Sequence, residues 1–492
     1  MTSSRRSARK SALDHQDWAA DAPAAERRAR ADRRASDRRR AASQPAASQP
    51  ARERRADDDR RATRGRRSAQ ARVAAETVPR RRTSSRRSAR ATRAAALPGP
   101  GIAERRALLL VTFLLVLYGL VMSYSASSAE AYFAHHSSFY FVERQLAWAL
   151  IGVGAMLALS RVDYASWRRW SVPLAGVAVL ALVVVLVPGV GSVVNGARRW
   201  IFIGGQGLQP SEVAKVACVM LAATLVSRRP AELETPRGFV RVAAITIVPA
   251  AALIMLEPDL GTMLVLVAAV VAVLVAAGAR LRYLFTAAAL GLATILAMIV
   301  VEPYRLQRLT TFLNPWNDAQ ASGYQATQAL ISIASGHFFG VGLGNSVQKF
   351  GFLPEQGTDM ITGIIGEELG LAGLIVLLAL YVALAWCCFR IALNCKELYG
   401  KLLATGITAI IIGQACINAG AALGLLPLTG VPLPLVSLGG TNLVVVLAGV
   451  GILLNIATNR RSYIVVSAQR GDRAARGGRD RRASAAGARG RG

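Results

Sequence analysis

The stretch LGTMLVLVAAVVAVLVAAG, residues 260–278, decides the fold class. Its nineteen residues carry no charge, and Thr262 is their one hydroxyl. Coiled as an α-helix it would be about 28 Å long, close to the hydrocarbon thickness of a bilayer. Nine comparable apolar runs accompany it, at about 107–125, 145–161, 171–188, 211–227, 239–256, 281–303, 367–390, 401–424 and 441–458. The run at 211–227 is short and holds Lys215. Repeated spans of this length predict an all-α polytopic membrane protein with about ten transmembrane helices.

Charge is distributed as if two polymers had been joined. The 492 residues hold 59 Lys+Arg and 29 Asp+Glu, a net charge of +30. Residues 1–106 supply 30 basic and 12 acidic groups, and residues 459–492 supply 10 and 2. The 352 residues between them are left with 19 basic and 15 acidic groups, a net of +4. The middle is too apolar for a water-soluble enzyme. A nucleic-acid partner is not expected either, because charge and folded mass sit in different places. The tails, rich in Arg, Ala and Ser and including AASQPAASQP at 41–50, have the composition of disordered segments. Three domains are therefore expected: a basic tail over 1–106, a transmembrane domain over 107–458, and a second basic tail over 459–492. No cleavable signal is expected, since the first apolar stretch starts near residue 107. Cys218, Cys387, Cys388, Cys395 and Cys416 lie in or beside apolar segments and form no disulfide or metal pattern.

Orientation follows from the short connections. With the N-terminal tail in the cytoplasm, the inner connections carry 12 basic residues against 4 acidic, and the outer ones 7 against 11. The positive-inside bias thus predicts both termini cytoplasmic. The outer side then holds a large loop between spans seven and eight, about 304–366, a length that usually signals function. It contains a helix-compatible piece, ATQALISIAS at 326–335, closed by Gly336. The Gly340, Gly342 and Gly344 series that follows has no βαβ context, so it reads as a flexible or closely packed loop. LLPLTGVPLPLVSLGG at 425–440 is apolar, yet Pro427, Pro432 and Pro434 exclude a helix. Its backbone polar groups must be met by protein or by a water-filled cavity.

Ionisable residues at membrane depth are costly and point to function. Four clusters qualify. In NGARRWIFIGGQGLQPSEVAK, 195–215, Lys215 stands three residues after Glu212 and is either neutralised by it or joins Arg198 and Arg199 in a cationic pocket for phosphate. In EPDLGT, 257–262, Asp259 falls in the first turn of a helix, as a dipole-compatible acid or as part of a cavity. In LPEQGTDMITGIIGEELG, 353–370, Asp359 is either an N-cap or a general base, within reach of Lys349 or the arginines. Chemistry alone does not choose among Glu355, Asp359 and Glu367, and of the adjacent Glu367 and Glu368 at most one can share a cavity with Asp359. Gln414 and Asn418, four apart on the ninth span, read as interhelical glue. No histidine has metal-ligand spacing, and no triad, P-loop or zinc pattern occurs. These residues give an outward polar site for an anionic, phosphorylated and partly lipidic ligand, without naming a reaction.

SYSASS (123–128), NGARRWI with QPSEVAK, EPDLGT, NPW (314–316) followed by GYQATQALISIASG (323–336), QKFGFLPEQGTD (348–359), GEELG (366–370) and LLPLTGVPLPLVSLGGTN (425–442) together resemble the SEDS family of bacterial cell-envelope proteins, FtsW, RodA and SpoVE. NPWND and IIGEELG look more like the FtsW branch than the RodA branch. The resemblance spans about 107–460. It implies a peptidoglycan glycosyltransferase that polymerises lipid II at the outer face of the cytoplasmic membrane during cell division. By that resemblance Asp359 is the catalytic base, and Arg198, Lys215 and Lys349 are candidates for holding the pyrophosphate. Glu212, Asp259 and Glu367 become supporting cavity acids. A divalent cation, Mg or Mn, could share the pyrophosphate, although no ligand set is legible. A class B penicillin-binding protein and other division-complex proteins are the implied partners, at the division septum. A lipid II flippase, a non-catalytic division scaffold and a RodA-type elongation role are the alternatives. Two departures stand out: Gly357 replaces the family's usual His before the TD pair, and Leu438 replaces the aromatic residue of the SYGG signature.

Overall fold

The computed structural model describes residues 100–194, 196–301 and 311–458. By its internal contacts the chain divides into units 1–94 and 95–492, and all that is described lies in the second. The expected disorder of the basic tails falls outside the described residues, except that residues 100–106, placed in the first tail, are helical instead; the start of the 304–366 loop also lies outside.

Ten long helices match the ten apolar runs in order: α1 (Pro100–His135), α2 (Tyr140–Arg161), α3 (Tyr164–Leu186), α4 (Pro210–Arg228), α5 (Pro236–Leu256), α6 (Leu260–Ala276), α7 (Leu281–Val301), α9 (Ile361–Asn394), α10 (Leu398–Ala422) and α11 (Gly440–Thr458). Between α7 and α9 lies the shorter α8 (Tyr324–Ser335), which ends at Gly336 as its sequence suggests. Eight of the ten are long and apolar enough to cross a membrane. The 17 residues of α6 stop before Gly278, whose φ of +86° ends the helix early. Outward faces carry bare apolar side chains such as Phe113, Leu150 and Trp386, 63%, 66% and 67% exposed. In water those faces would be an aggregation liability; against lipid chains they are ordinary. The chain is an integral membrane protein.

Local chemistry sets the helix starts. Pro210 and Pro236 occupy first-turn positions, where a missing N–H costs nothing. Thr235 accepts from Gly238 N at 3.1 Å, and Asp163 from Ala165 N at 3.1 Å. Two helices run well beyond their apolar runs. α1 continues to His135 because Ser123, Ser125 and Ser127 are buried against protein. α9 starts at Ile361 and kinks at Gly370, whose φ is +65°. The kink frees backbone that the glycine-rich strip uses: Val341 N and Gly342 N donate to Glu367 O and Glu368 O, both at 3.0 Å. That strip is therefore a closely packed loop.

The sequence reading contained no strands, and the structure adds three. β1 (Ser192–Val194), β2 (Ala197–Ile203) and β3 (Gln206–Leu208) form an antiparallel sheet in the order β1-β2-β3 between α3 and α4. The strands are short, and NGARRWIFIGGQGL lacks a clean alternation of polar and apolar residues to announce them. The helical fold class stands with this small addition. α4, α10 and α11 are the most enclosed spans, and α4 packs against α3, α5, α6 and α10.

Candidate active site

The proline-rich connection after α10 is the scaffold of the site. Its backbone is non-helical, and from Val431 to Ser437 it is largely buried, so the polar groups there need partners. Protein supplies them. Ser123 Oγ donates to Val436 O at 2.9 Å, Gln145 Nε2 to Ser437 O at 3.0 Å, and Tyr381 Oη to Pro434 O. Asn418 Nδ2 donates to Val431 O at 2.8 Å, and Leu433 N donates to Ser437 Oγ at 2.8 Å. Gly119 of α1 lets this backbone come close: a Cβ there would lie 2.5 Å from Leu435 O and 2.6 Å from Val436 Cα. Leu435 itself has φ +67°, a strained conformation for a branched side chain.

The LPEQGTD turn lies across this scaffold. Leu438 N donates to Gly357 O at 2.8 Å, Ser437 Oγ to Thr358 O, and Asn418 Nδ2 to Asp359 O at 2.8 Å. Three successive carbonyls are thus held from outside the turn. Asp359 is half-buried. Its Oδ2 stands 3.9 Å from where a Cβ on Gly430 would be, and Thr358 Oγ1 approaches its Oδ1 at 3.4 Å. It does not cap α9, whose N-cap is Met360 without a side-chain bond. The N-cap reading of Asp359 is therefore overturned, and Asp359 stands instead where the turn meets the scaffold.

The other acids have structural engagements. Asp259 is the N-cap of α6, accepting from Thr262 N at 3.0 Å and Thr262 Oγ1 at 2.8 Å, with Gln209 Nε2 at 3.3 Å. Two residues on, Gly261 receives the scaffold, since a Cβ there would meet Thr429 O at 2.6 Å. Glu367 accepts from Val347 N at 3.0 Å and from the hydroxyls of Ser346 and Ser332. Glu368 accepts from Ser125 Oγ at 2.6 Å and pairs with Lys349 at 3.5 Å. Both glutamates are buried, each tying a different element to α9. Glu257 is wholly buried with neither carboxylate oxygen bonded. It lies in the turn between α5 and α6, where burial, then the charge of Asp259, push its carboxyl up to about 8 despite Arg199.

The three candidate cations differ in readiness. Lys215 is fully buried and bonded to Glu212 at 2.8 Å, so the ion pair foreseen between them forms. Lys349 is buried between Glu368 and the Gly344 carbonyl. Arg198 is half-buried, donates to Leu186 O at 3.1 Å, and among the described residues keeps a buried Nε with no partner. Its neighbour Arg199 is committed to the backbone, donating to Glu257 O at 2.9 Å and Pro258 O at 2.6 Å. The hairpin is fixed on its other flank by Thr441 Oγ1, which donates to Gly207 O at 3.1 Å, and by Trp148 Nε1 on Gln206 Oε1 at 3.0 Å. The sheet is thus tied to the α5–α6 turn and to the start of α11, while the LPEQGTD turn and Gly261 touch the non-helical segment itself.

A family model for a cell cycle protein, FtsW/RodA/SpoVE, matches residues 105–462. The chain belongs to that family. Stage V sporulation protein E of Bacillus subtilis (strain 168) is 42% identical over 355 residues, covering 72% of this chain and 97% of that one. A probable peptidoglycan glycosyltransferase FtsW of Trichlorobacter lovleyi is 39% identical over 351 residues, covering 71% and 92%. Among solved structures, a chain described under structural coordination of polymerization and crosslinking by a peptidoglycan synthase complex superposes with a TM-score of 0.61 at 29% identity, over 72% of this chain and 97% of that one.

In this FtsW/RodA/SpoVE protein the two departures noted in the sequence touch each other. A Cβ on Gly357 would lie 2.6 Å from Leu438 Cδ1. Leu438 covers Gly357, so a larger residue at 357 requires Leu438 to move. Sequence reasoning missed Ser437, Gln145 and Ser125, and it gave Asn418 only the role of glue; hydroxyls and amides inside apolar runs were the available signal. Among the described residues no three of His, Cys, Asp and Glu converge as a metal site. The chain's own side chains there do not make a ligand set for the divalent cation.

Proposed function

We propose that this chain is a peptidoglycan glycosyltransferase that polymerises lipid II at the outer face of the cytoplasmic membrane. The observation that carries the reading is Asp359: a half-buried carboxylate, beside the glycine of a non-helical segment, on a turn held by three hydrogen bonds from outside it. Such a carboxylate is accessible to a substrate hydroxyl yet fixed in place, as a general base requires. Asp359 takes the proton of the acceptor's GlcNAc 4-hydroxyl as that oxygen attacks the donor's MurNAc anomeric carbon. The new bond is β, the α-linked undecaprenyl pyrophosphate departs, and the configuration inverts in one displacement. Negative charge grows on the leaving group, where preorganised cations are worth most. Of the three candidates, Arg198 can donate to phosphate oxygens while keeping its bond to Leu186 O, because its Nε is unused. Lys215 and Lys349 must first leave Glu212 and Glu368.

Ten spans, an even number, put both ends of the transmembrane domain on one side, and the positive-inside bias supports the cytoplasm for it. A class B penicillin-binding protein is the proposed crosslinking partner, and the division septum the proposed place of work. The test is polymerisation of labelled lipid II in liposomes by wild type and Asp359→Asn, with the cognate transpeptidase present. Glycan ladders from wild type and none from a folded mutant are expected. Ladders from Asp359→Asn would move the base to another acid, and none from wild type would leave the flippase or scaffold reading.

A further inference from the structure

We propose that Asn418 is a positioning residue for Asp359, fixing the base against the wall that faces it; this rests on the reading of Asp359 as the base. Asn418 lies in the last two turns of α10 and is 1% exposed. Its side-chain amide is fully used. One N–H goes to Asp359 O and the other to Val431 O, both at 2.8 Å, while its oxygen accepts Thr362 Oγ1 at 2.8 Å. The two backbone carbonyls, which can only accept, assign the amide's orientation: its NH2 faces them and its oxygen faces the threonine hydroxyl.

The two carbonyls it joins belong to the two segments that meet at the carboxylate. Asp359 O is on the base's own residue. Val431 follows Gly430, the residue against which Asp359 Oδ2 rests, 3.9 Å from a would-be Cβ. One amide therefore sets the distance between base and wall. Asn418 sits at the end of a regular helix rather than on a loop, so the span transmits rigidity to a turn with no regular structure of its own. Gln414, four residues earlier on the same helix, is equally buried but has neither side-chain atom bonded. Asn418 joins α10 to α9 through Thr362 and also reaches the turn, and Gln414 does neither.

The experiment uses the full chain in liposomes with labelled lipid II, and compares Asn418→Ala, Thr362→Val and Asp359→Asn. A base displaced by about 1 Å loses on the order of 100-fold in rate. Asn418→Ala is expected to lower kcat by about 10- to 100-fold, in the range typical of lost supporting bonds. It is also expected to displace the acid limb of the rate–pH profile, which loss of folded enzyme would only scale. Thr362→Val keeps both N–H bonds but frees the amide to swing, and a smaller fall in kcat with the same displaced limb is expected. If Asn418→Ala fails to fold, Thr362→Val decides. A wild-type rate and an unmoved limb in the folded variant, beside an inactive Asp359→Asn, would overturn the positioning role alone. An active Asp359→Asn would overturn the base, and the inference with it.

Discussion

Replacing Lys215 by Met separates two roles that one ion pair can hide. The Lys215 and Glu212 side chains are 0% and 2% exposed, with 2.8 Å between Nζ and Oε1. Glu212 Oε2 already lacks a partner. Removing the lysine leaves a carboxylate buried among helices with nothing to neutralise it, which costs about 3–5 kcal/mol. Removing both charges, as Lys215→Met with Glu212→Gln, is expected to return to within about 1 kcal/mol of wild type, because a buried pair gains little over neutral groups of similar shape. The double variant should therefore be about 2–4 kcal/mol more stable than Lys215→Met alone. Unfolding in detergent gives the stabilities, and lipid II polymerisation gives the activity. Should Lys215 also contact pyrophosphate, the double variant recovers stability but stays slow; should the pair be purely structural, both recover. A single variant that loses less than about 1 kcal/mol, or a double no more stable than the single, would refute the burial argument on which this rests.

Further perturbations test other joints of the site. Gly119→Ala places a Cβ 2.5–2.9 Å from three backbone atoms of Leu435 and Val436 that no rotamer can relieve; a loss of about 1–3 kcal/mol is expected, with a fall in polymerisation because the displaced segment bears Ser437. Lys349→Met and Ser125→Ala each strip Glu368 of a partner, so in denaturation measurements the double variant should lose less than the sum of the singles. Glu257 binds its proton more tightly folded, at about 8, than at its ordinary value of 4.5. Between those two values the native state holds a proton that the unfolded chain has released, so stability falls as pH rises from about 4.5 to about 8. Stability measured across that window should lose its slope in Glu257→Gln.

The ten long helices were legible because a bilayer dictates length and apolarity, and eight of them are long and apolar enough to cross one. Helix ends were less so. The end of α1 lies ten residues past its apolar run because buried partners for Ser123, Ser125 and Ser127 come from residues more than 240 positions away, or from their own helix. Lys215–Glu212 could be foreseen from an i, i+3 spacing. Lys349–Glu368 could not, since nothing local links them. The hairpin at 192–208 escaped notice because its register rests on neighbouring helices: Thr441 and Trp148 hold one flank and the α5–α6 turn the other. Asp359 was nominated together with Glu355 and Glu367. Folding separates them: Glu367 is enclosed by Ser332, Ser346 and Val347 N, and Glu355 has φ +54° and accepts from Thr358 Oγ1 at 2.7 Å.

The polar residues inside the spans are better counted against one segment than against each other. A non-helical backbone at membrane depth has no water to satisfy it and no ladder of its own, so its donors must be brought from the surrounding helices. Ser123 of α1, Gln145 of α2, Tyr381 of α9 and Asn418 of α10 each deliver one bond to the carbonyls between Val431 and Ser437. Interhelical glue bonds side chain to side chain across a helix pair, as Thr362 Oγ1 of α9 does on Asn418 Oδ1 of α10, whereas these four bonds go to backbone carbonyls. Four helices converge on a single irregular strand. That strand then hands three of its own contacts, from Ser437, Leu438 and the Gly430 wall, to the turn that bears Asp359. An ordinary helix there would satisfy its own backbone and leave the turn nothing to rest on. The prolines that forbid a helix between 427 and 434 are thus part of how the carboxylate is held.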